Sequence, residues 1–408
     1  MRRVAITGMG AVSPFGRGVP RLLQALAAGE SAVTSVPGLA AYGGLRTQLA
    51  ALVPDVNGRE IARAQRRSMS RQSLFAVLAA REALDQARLP ESLYADGECG
   101  VAIGSTISSL ETSESFFADY LVDKSFARMK TSLFFKTMNH SAAANVAQYF
   151  GLTGRLLAPA AACATGCQSL GYAYEMIAGG LQQVMVCGGA EEFHSLAAAT
   201  FDLMNAASVG YNDNPAAASR PFDRCRDGVV CGEGAGILVL EDWEAAQARG
   251  AEILAELRGF ATLTETGSIA EPSAAAMQKC IRAVLANAGV PALAIGYVNA
   301  HATATEKGDL AEAAALAEIF GSRVPISSLK GHLGHTLAAS GALETIATVA
   351  MLNRGEFWPT RNLEEIDARF AGLHLLQRVE KHDAVLALKD NFALGGVNCS
   401  LVLGGGRH

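Results

Sequence analysis

The sequence predicts an α/β fold, and three observations carry that expectation. Short apolar stretches that read as strands alternate with longer segments of helical periodicity. No low-complexity linker divides the chain. A faint internal echo relates Leu157–Gly180 to Val324–Gly355, each running from small or apolar residues through a polar turn into a helix. Such an echo predicts two reactive loops facing one pocket.

The elements follow in order. Val4–Thr7 reads as a strand. Gly8-Met9-Gly10-Ala11-Val12-Ser13 follows it, without the third glycine or the later acid of a dinucleotide-binding turn, and is expected to be a structural strand-to-loop turn. Ser73–Gln86 reads as an amphipathic helix, then Val101–Ile103, Val184–Cys187 and Gly236–Leu240 as strands. Gly232-Glu233-Gly234-Ala235-Gly236 lacks the Lys-Ser/Thr ending of a phosphate loop, so its glycines are expected to serve close backbone approach. The charged, helix-prone stretch Glu241–Glu252 is the best internal joint, dividing 1–245 from 246–408. A helix at Ala275–Ala288 and strands at Tyr297–Asn299 and Ala384–Leu388 complete the pattern.

Composition narrows the function classes. The 408 residues are 50% hydrophobic and 18% charged, which favours a large buried core over disorder. A formal net charge of −5 argues against a general binder of nucleic acid or other polyanions. No apolar run reaches membrane-spanning length, and the start, Met1-Arg2-Arg3-Val4-Ala5-Ile6, lacks the apolar stretch of a secretory signal. A cytoplasmic protein is expected. Eight scattered cysteines suggest small buried side chains rather than a disulfide framework.

Three segments carry candidate chemistry. In Ala161-Ala162-Cys163-Ala164-Thr165-Gly166 a cysteine stands at a strand-to-helix turn. The helix end would favour thiolate, the form that attacks a thioester. Local spacing alone leaves Cys163 open between nucleophile and packed thiol, whereas Cys167 points into helix packing. His301, after the strand Tyr297–Asn299 and before Ala302, Thr303, Ala304 and Thr305, has room to face a cavity or to be a satisfied structural histidine. Ser328-Leu329-Lys330-Gly331-His332-Leu333-Gly334-His335 gathers a lysine and two histidines between glycines. A zinc site from Cys163, His301, His332 and His335 lacks paired C-x-x-C or helical H-E-x-x-H spacing, so no metal is expected.

Taken together and in order, these segments resemble the β-ketoacyl-[acyl-carrier-protein] synthases of the elongating type I/II group. The resemblance spans nearly the whole chain. It includes Val4-Ala5-Ile6-Thr7-Gly8-Met9-Gly10, the Cys163 segment, Gly188-Gly189-Ala190-Glu191, Ser219-Arg220-Pro221-Phe222-Asp223, Arg226-Asp227-Gly228, Gly232-Glu233-Gly234, His301, Lys330, His335 and Gly395-Gly396-Val397-Asn398. It implies a thiolase-like fold: two similar α/β halves in a five-layered αβαβα arrangement, normally dimeric. It implies a decarboxylative Claisen condensation of a Cys163-bound acyl chain with malonyl carried on acyl carrier protein, in fatty acid or related polyene or polyketide biosynthesis. By resemblance the backbone N–H groups of Cys163 and Leu394 hold the oxyanion, and His301 and His335 donate to the developing enolate. Lys330 orders the site with Glu344 as partner, His332 is structural, and Thr303 and Thr305 line the pantetheine tunnel. No cofactor is implied, because acyl groups arrive on the carrier's phosphopantetheine.

Departures from the family pattern bear on specificity. His301-Ala302-Thr303-Ala304-Thr305 stands where the family usually reads His-Gly-Thr-Ser-Thr. Asp390-Asn391-Phe392-Ala393-Leu394-Gly395-Gly396 stands for Asn-Ser-Phe-Gly-Phe-Gly-Gly. Leu394 thus replaces the phenylalanine that commonly gates malonyl access, which suits a specialised pathway. Phe392, Leu394 and Ile107 are expected as pocket walls. Acidic carrier protein is expected to dock near Arg63, Arg66, Arg67 and Arg71, with Lys124, Arg128 and Lys130 as possible helpers. The dimer is a homodimer or a heterodimer with a related chain-length-factor subunit. The alternatives are the ketosynthase subunit of such a heterodimer and a non-catalytic factor-like partner, which usually loses the nucleophile.

Overall fold

The computed structural model describes residues 1–54 and 56–406. Two runs of five strands carry the architecture. The first comprises β1 (Val4–Ser13), β2 (Cys99–Gly104), β3 (Leu156–Leu157), β4 (Val184–Glu191) and β5 (Gly234–Asp242). The second comprises β6 (Ala255–Thr264), β7 (Ile295–Asn299), β8 (Pro325–Ser327), β9 (Leu386–Phe392) and β10 (Val397–Gly405).

Both runs pair by the same rule. In the first, β1 and β4 flank β5 antiparallel, β2 runs parallel to β4, and β3 runs parallel to β2. In the second, β6 and β9 flank β10 antiparallel, β7 runs parallel to β9, and β8 runs parallel to β7. A short antiparallel contact, Val4 with Leu257 through Ile6 with Ala255, joins the two into one sheet of twelve strands.

Helices make three layers around these strands. Helix α1 (Arg71–Ala87) covers the outer face of the first half. Helices α2 (Thr165–Ala178) and α5 (Ser340–Arg354) lie against each other between the halves. Helices α3 (Ala274–Ala288) and α4 (Glu306–Phe320) cover the second half. The result is the αβαβα order. Because the strands are covered on both faces, they read as continuous apolar runs rather than alternating ones. In β4, Val184 and Val186 join the core under α1 while Met185 and Cys187 face the central helices.

The strands extend beyond the sequence expectation, and glycine explains the largest extension. Gly8 and Gly10 are not in a turn: they lie inside β1, under α1. A Cβ on Gly8 would stand 2.0 Å from the Ala83 carbonyl oxygen, and one on Gly10 1.9 Å from that of Ala79. The glycines let a helix backbone lie directly on the strand. Gly236 plays the same part in β5, where a Cβ would meet the Leu343 backbone nitrogen at 2.6 Å.

The internal echo is real structure. β3 leads through a short 3₁₀ turn (Ala162–Ala164) into α2, and β8 leads, after a longer loop, through a 3₁₀ turn (Leu337–Ala339) into α5. Each turn starts with a non-glycine residue at positive φ, 46° at Ala162 and 48° at Leu337. Such backbone costs about 1–3 kcal/mol and persists only where packing dictates it. Here the packing is reciprocal. A Cβ on Gly166 would meet the Ala338 carbonyl oxygen at 2.5 Å, and one on Gly341 the Cys167 nitrogen at 2.4 Å. The two helix starts therefore press backbone to backbone and bring their turns to one place.

Candidate active site

Cys163 is the middle residue of the turn before α2 and is buried. His301 follows β7, and His335 lies between the Lys330–Leu333 turn and the turn before α5. One side-chain donor atom from each of the three lies within 4.8 Å of the others. The imidazoles stand edge to face, their centroids 5.3 Å apart. The two loops anticipated from the internal echo thus face one pocket.

Burial raises the Cys163 thiol to about 11, opposed by Lys330 and by hydrogen bonds from the backbone N–H groups of Cys163 and Leu394. This corrects the sequence expectation in sign. The turn does supply N–H donors, but removal from water outweighs them and favours the neutral thiol. Both N–H groups are thus directed at the sulfur.

Each imidazole is anchored through its backbone. The N–H groups of His301 and Ala302 donate to Glu312 of α4 at 2.7 and 2.6 Å. Ala304, at φ 68°, donates to Asp309 at 3.1 Å. The His335 N–H donates to the Val230 carbonyl at 2.7 Å, while neither ring nitrogen has a partner among the described residues. Burial, then Lys330, lowers both histidines well below their ordinary value, so both rings are neutral.

Lys330 is fully buried and donates to Glu344 at 2.6 Å. Lys389 of β9 stands 2.9 Å from the other oxygen of the same carboxylate. Among the described residues, Cys163, His301 and His335 are the one group of metal-ligating side chains whose donor atoms converge, and Lys330 and Lys389 both act electrostatically on the imidazoles.

Sequence reasoning missed Asn391. Its Nδ2 donates to the Cys163 carbonyl at 3.2 Å and faces His301 Nδ1 at 3.3 Å. It missed Glu312 and Lys389 as well. The signal was present: Lys389-Asp390-Asn391 interrupts an otherwise apolar strand, and buried charge in a strand marks a site. His332 is tied into structure, its ring nitrogens 3.0 and 3.2 Å from the carbonyls of Glu30 and Pro359. Cys167 is buried against Gly341.

A cavity of about 640 Å³ reaches the reacting groups, and Cys163, His301, Thr303, Thr305, His335, Phe392 and Leu394 line it. Ile107 is not among its walls. It is 51% exposed on the loop after β2, so this chain by itself does not make it a pocket residue. Arg63 and Arg67 are exposed and Arg66 is half-buried. Arg71 does not belong with them: it pairs with buried Glu233 at 2.6 Å and donates to the Val53 carbonyl.

A duplicated α/β sandwich whose two helix-start turns bring a buried thiol beside two neutral imidazoles defines a thiolase-like condensing enzyme. The family profile described as "Beta-ketoacyl synthase, N-terminal domain" matches residues 1–246, and "Beta-ketoacyl synthase, C-terminal domain" matches residues 254–364. The chain belongs to the β-ketoacyl synthase family and is an acyl-transferring enzyme. It is 32% identical to "3-oxoacyl-[acyl-carrier-protein] synthase 1" of Haemophilus influenzae, covering 98% of each chain. It superposes on a β-ketoacyl synthase from Burkholderia phymatum with a TM-score of 0.96 at 42% identity, covering 99% of this chain and 100% of that one. "The ishigamide ketosynthase/chain length factor" gives 0.91 at 29% identity, covering 99% of each. Among the described residues no helix is long and apolar enough to cross a membrane.

Proposed function

We propose that the chain condenses an acyl group held on Cys163 with a malonyl group delivered by acyl carrier protein. The observation that carries this reading is the convergence of Cys163 Sγ, two neutral imidazoles and two backbone N–H groups on one cavity. In the first stage the thiol passes its proton to His335, whose ring nitrogens have no other partner. The thiolate attacks the acyl thioester, and the Cys163 and Leu394 N–H groups hold the oxyanion. Collapse expels the carrier thiolate, which takes the proton back.

In the second stage the malonyl thioester oxygen accepts hydrogen bonds from His301 and His335. Carbon dioxide leaves, and its bonding electron pair becomes an enolate held by those donors. The enolate carbon attacks the Cys163 thioester, and the Cys163 thiolate departs to leave a 3-oxoacyl carrier and takes up a proton from solvent, which restores the starting thiol. Thr303 and Thr305 guide the phosphopantetheine arm. The scheme calls on no cofactor, since the thioester carbonyl is the electron sink.

The relatives' names carry the carrier protein into this reading, and an acidic carrier suits a basic patch at Arg63, Arg66 and Arg67. The unit is a dimer, with a second copy or a related chain-length factor. The helix Leu110–Asp123 buries none of its residues and exposes Phe117, Leu121 and Val122, with Phe126 and Phe134 exposed beyond it. Apolar surface of this extent is what a partner subunit covers. A reducing cytoplasm suits eight unpaired cysteines. Retention of Cys163 speaks against a purely non-catalytic subunit.

Incubation with acyl carrier substrate, read by intact-protein mass spectrometry, tests the assignment. An acyl adduct that maps to Cys163 and vanishes in Cys163→Ala supports it. An adduct on Cys167, or none with any chain length with or without a partner subunit, refutes it.

A further inference from the structure

The cavity that reaches Cys163 has an acidic lining. Asp227, Glu265, Glu271 and Glu306 border it, and Lys307 is the one lysine or arginine that does so among the described residues. A thioester arm that carries a phosphate through this mouth meets like charge at every charged side chain except Lys307.

Most of those carboxylates are held by the protein itself. Asp227 accepts from the N–H groups of Val209 and Gly210 at 3.0 and 2.7 Å. Glu265 accepts from those of Thr266 and Gly267 at 3.0 and 2.7 Å. Glu306 pairs with Arg226 at 2.8 Å and with Arg369 at 2.6 Å. Glu271 instead meets Lys307 Nζ at 2.6 Å, and the two side chains are 67% and 71% exposed. The pair joins two walls of the cavity, since Glu271 lies in the segment 265–273 between β6 and α3, and Lys307 in the first turn of α4. That segment is anchored in turn: the Gly395 N–H donates to the Ile269 carbonyl and the Glu265 N–H to the Gly396 carbonyl, both at 2.8 Å. Glu271 therefore holds Lys307 at the mouth. An ammonium has three donors, so one bond to a carboxylate leaves two for an arriving anion.

Exposure along the connection from β7 to α4 follows the order of groups in the arm. His301 is buried, Thr303 and Thr305 are half-buried, and Lys307 is exposed. All four line the cavity. The arm carries its thioester at the reacting end, its amides next and its phosphate last. With the thioester at His301 and the amides beside the Thr303 and Thr305 hydroxyls, which stand 3.0 Å apart, the phosphate falls at Lys307.

We propose that Lys307 is a specificity-determining residue: it binds the phosphate of the pantetheine arm at the cavity mouth, with Glu271 keeping its ammonium in place. This inference rests on the path proposed above for the arm.

The test compares phosphopantetheine with pantetheine as ligands of the full-length protein, with dissociation constants taken from ligand-observed NMR at low salt. The wild type should prefer the phosphorylated arm by about fivefold, the upper end for one exposed ion pair. Lys307→Gln should remove the preference, Lys307→Glu should reverse it, and Lys307→Arg should keep it. Added salt should flatten it in the wild type. The ratio compares two ligands on the same sample, so a loss of folded protein cancels. Equal binding of the two arms by the wild type, a preference that Lys307→Gln leaves in place, or no binding of either arm in the millimolar range would overturn the proposal. Loading of Cys163 from the matching acyl thioesters, read by mass spectrometry, separates this inference from the functional reading. If both thioesters load without preference, Lys307 does not read the phosphate and the condensing reading stands. If the binding preference depends on Lys307 but neither thioester loads Cys163, the functional reading fails and the phosphate contact stands.

Discussion

Asn391 and His301 meet side chain to side chain, with Asn391 Nδ2 3.3 Å from His301 Nδ1. The amide's orientation is not arbitrary, because the same Nδ2 faces the Cys163 carbonyl, which only accepts. His301 Nδ1 must therefore accept, which leaves the proton on Nε2, the nitrogen available for donation. Asn391→Asp replaces that donor with an acceptor and draws the proton to Nδ1. Decarboxylation of malonyl carrier should fall about 10²–10³-fold, the usual loss for one oxyanion donor. Carbon dioxide release by the purified variant measures it.

His301→Ala separates the two stages. The ring is invoked only for the enolate, while thiol deprotonation is assigned to His335. Acyl loading of Cys163, read by mass spectrometry, should persist within a few-fold, whereas decarboxylation should drop by about 10²-fold or more. Equal loss of both would contradict the division of labour.

The thiol at about 11 sets a pH dependence. Alkylation of Cys163 by a small haloacetamide should rise by about tenfold per pH unit from neutrality upward. Lys330→Met removes a cation that pulls the thiol down, so alkylation at any given pH should be slower still. Stability follows the same proton. The folded thiol holds it above the unfolded value of about 8.5, so stability falls as pH rises from there towards 11. Cys99 and Cys280, lifted by burial to about 12, act in the same direction. Thermal melts at pH 8 and pH 10 should show the loss.

How much of this was legible in the sequence depends on what each residue interacts with. Strands such as β4 announce themselves because covering both faces demands unbroken apolar residues. The echo between 157–180 and 324–355 was readable because duplicated turns retain local order, and it located the pocket. Gly8 and Gly10 read as a turn because their reason, the backbone of α1, is about 70 residues away in sequence. Arg71 read as surface charge because Glu233, its partner, is equally remote. The thiol shift was misjudged because a helix start is a local feature, while burial is set by the whole fold. Lys389, Asp390 and Asn391 were visible as polar residues in a strand, but only the fold shows that Lys389 meets Glu344 and that Asn391 meets the Cys163 carbonyl and His301.

Carrier docking makes a prediction that leaves the chemistry untouched. Arg63 and Arg67 are exposed, and neither makes an ion pair among the described residues. Arg67→Glu should raise KM for carrier-borne substrate several-fold and flatten the dependence of kcat/KM on salt. Turnover of a small pantetheine thioester should not change. Salt-insensitive turnover in the wild type would place docking elsewhere.

The contact between Gly166 and Gly341 makes the last prediction, and the most structural one. The pair lets the starts of α2 and α5 touch, and that contact brings the Cys163 turn against the turn before α5. Gly341→Ala would set a methyl 2.4 Å from the Cys167 nitrogen, a backbone atom that cannot swing aside. Overpacking of this kind costs about 1–3 kcal/mol when the structure can yield, and here yielding means that the helices separate. Melting temperature should therefore fall. Acyl loading should fall further than the loss of folded protein explains, because the N–H groups around Cys163 move with α2. Gly372→Ala, at a site where a Cβ meets nothing within 4 Å, is the control and should leave both unchanged. If Gly341→Ala loses stability but loads Cys163 normally, the helix contact supports the fold without setting the geometry of the nucleophile.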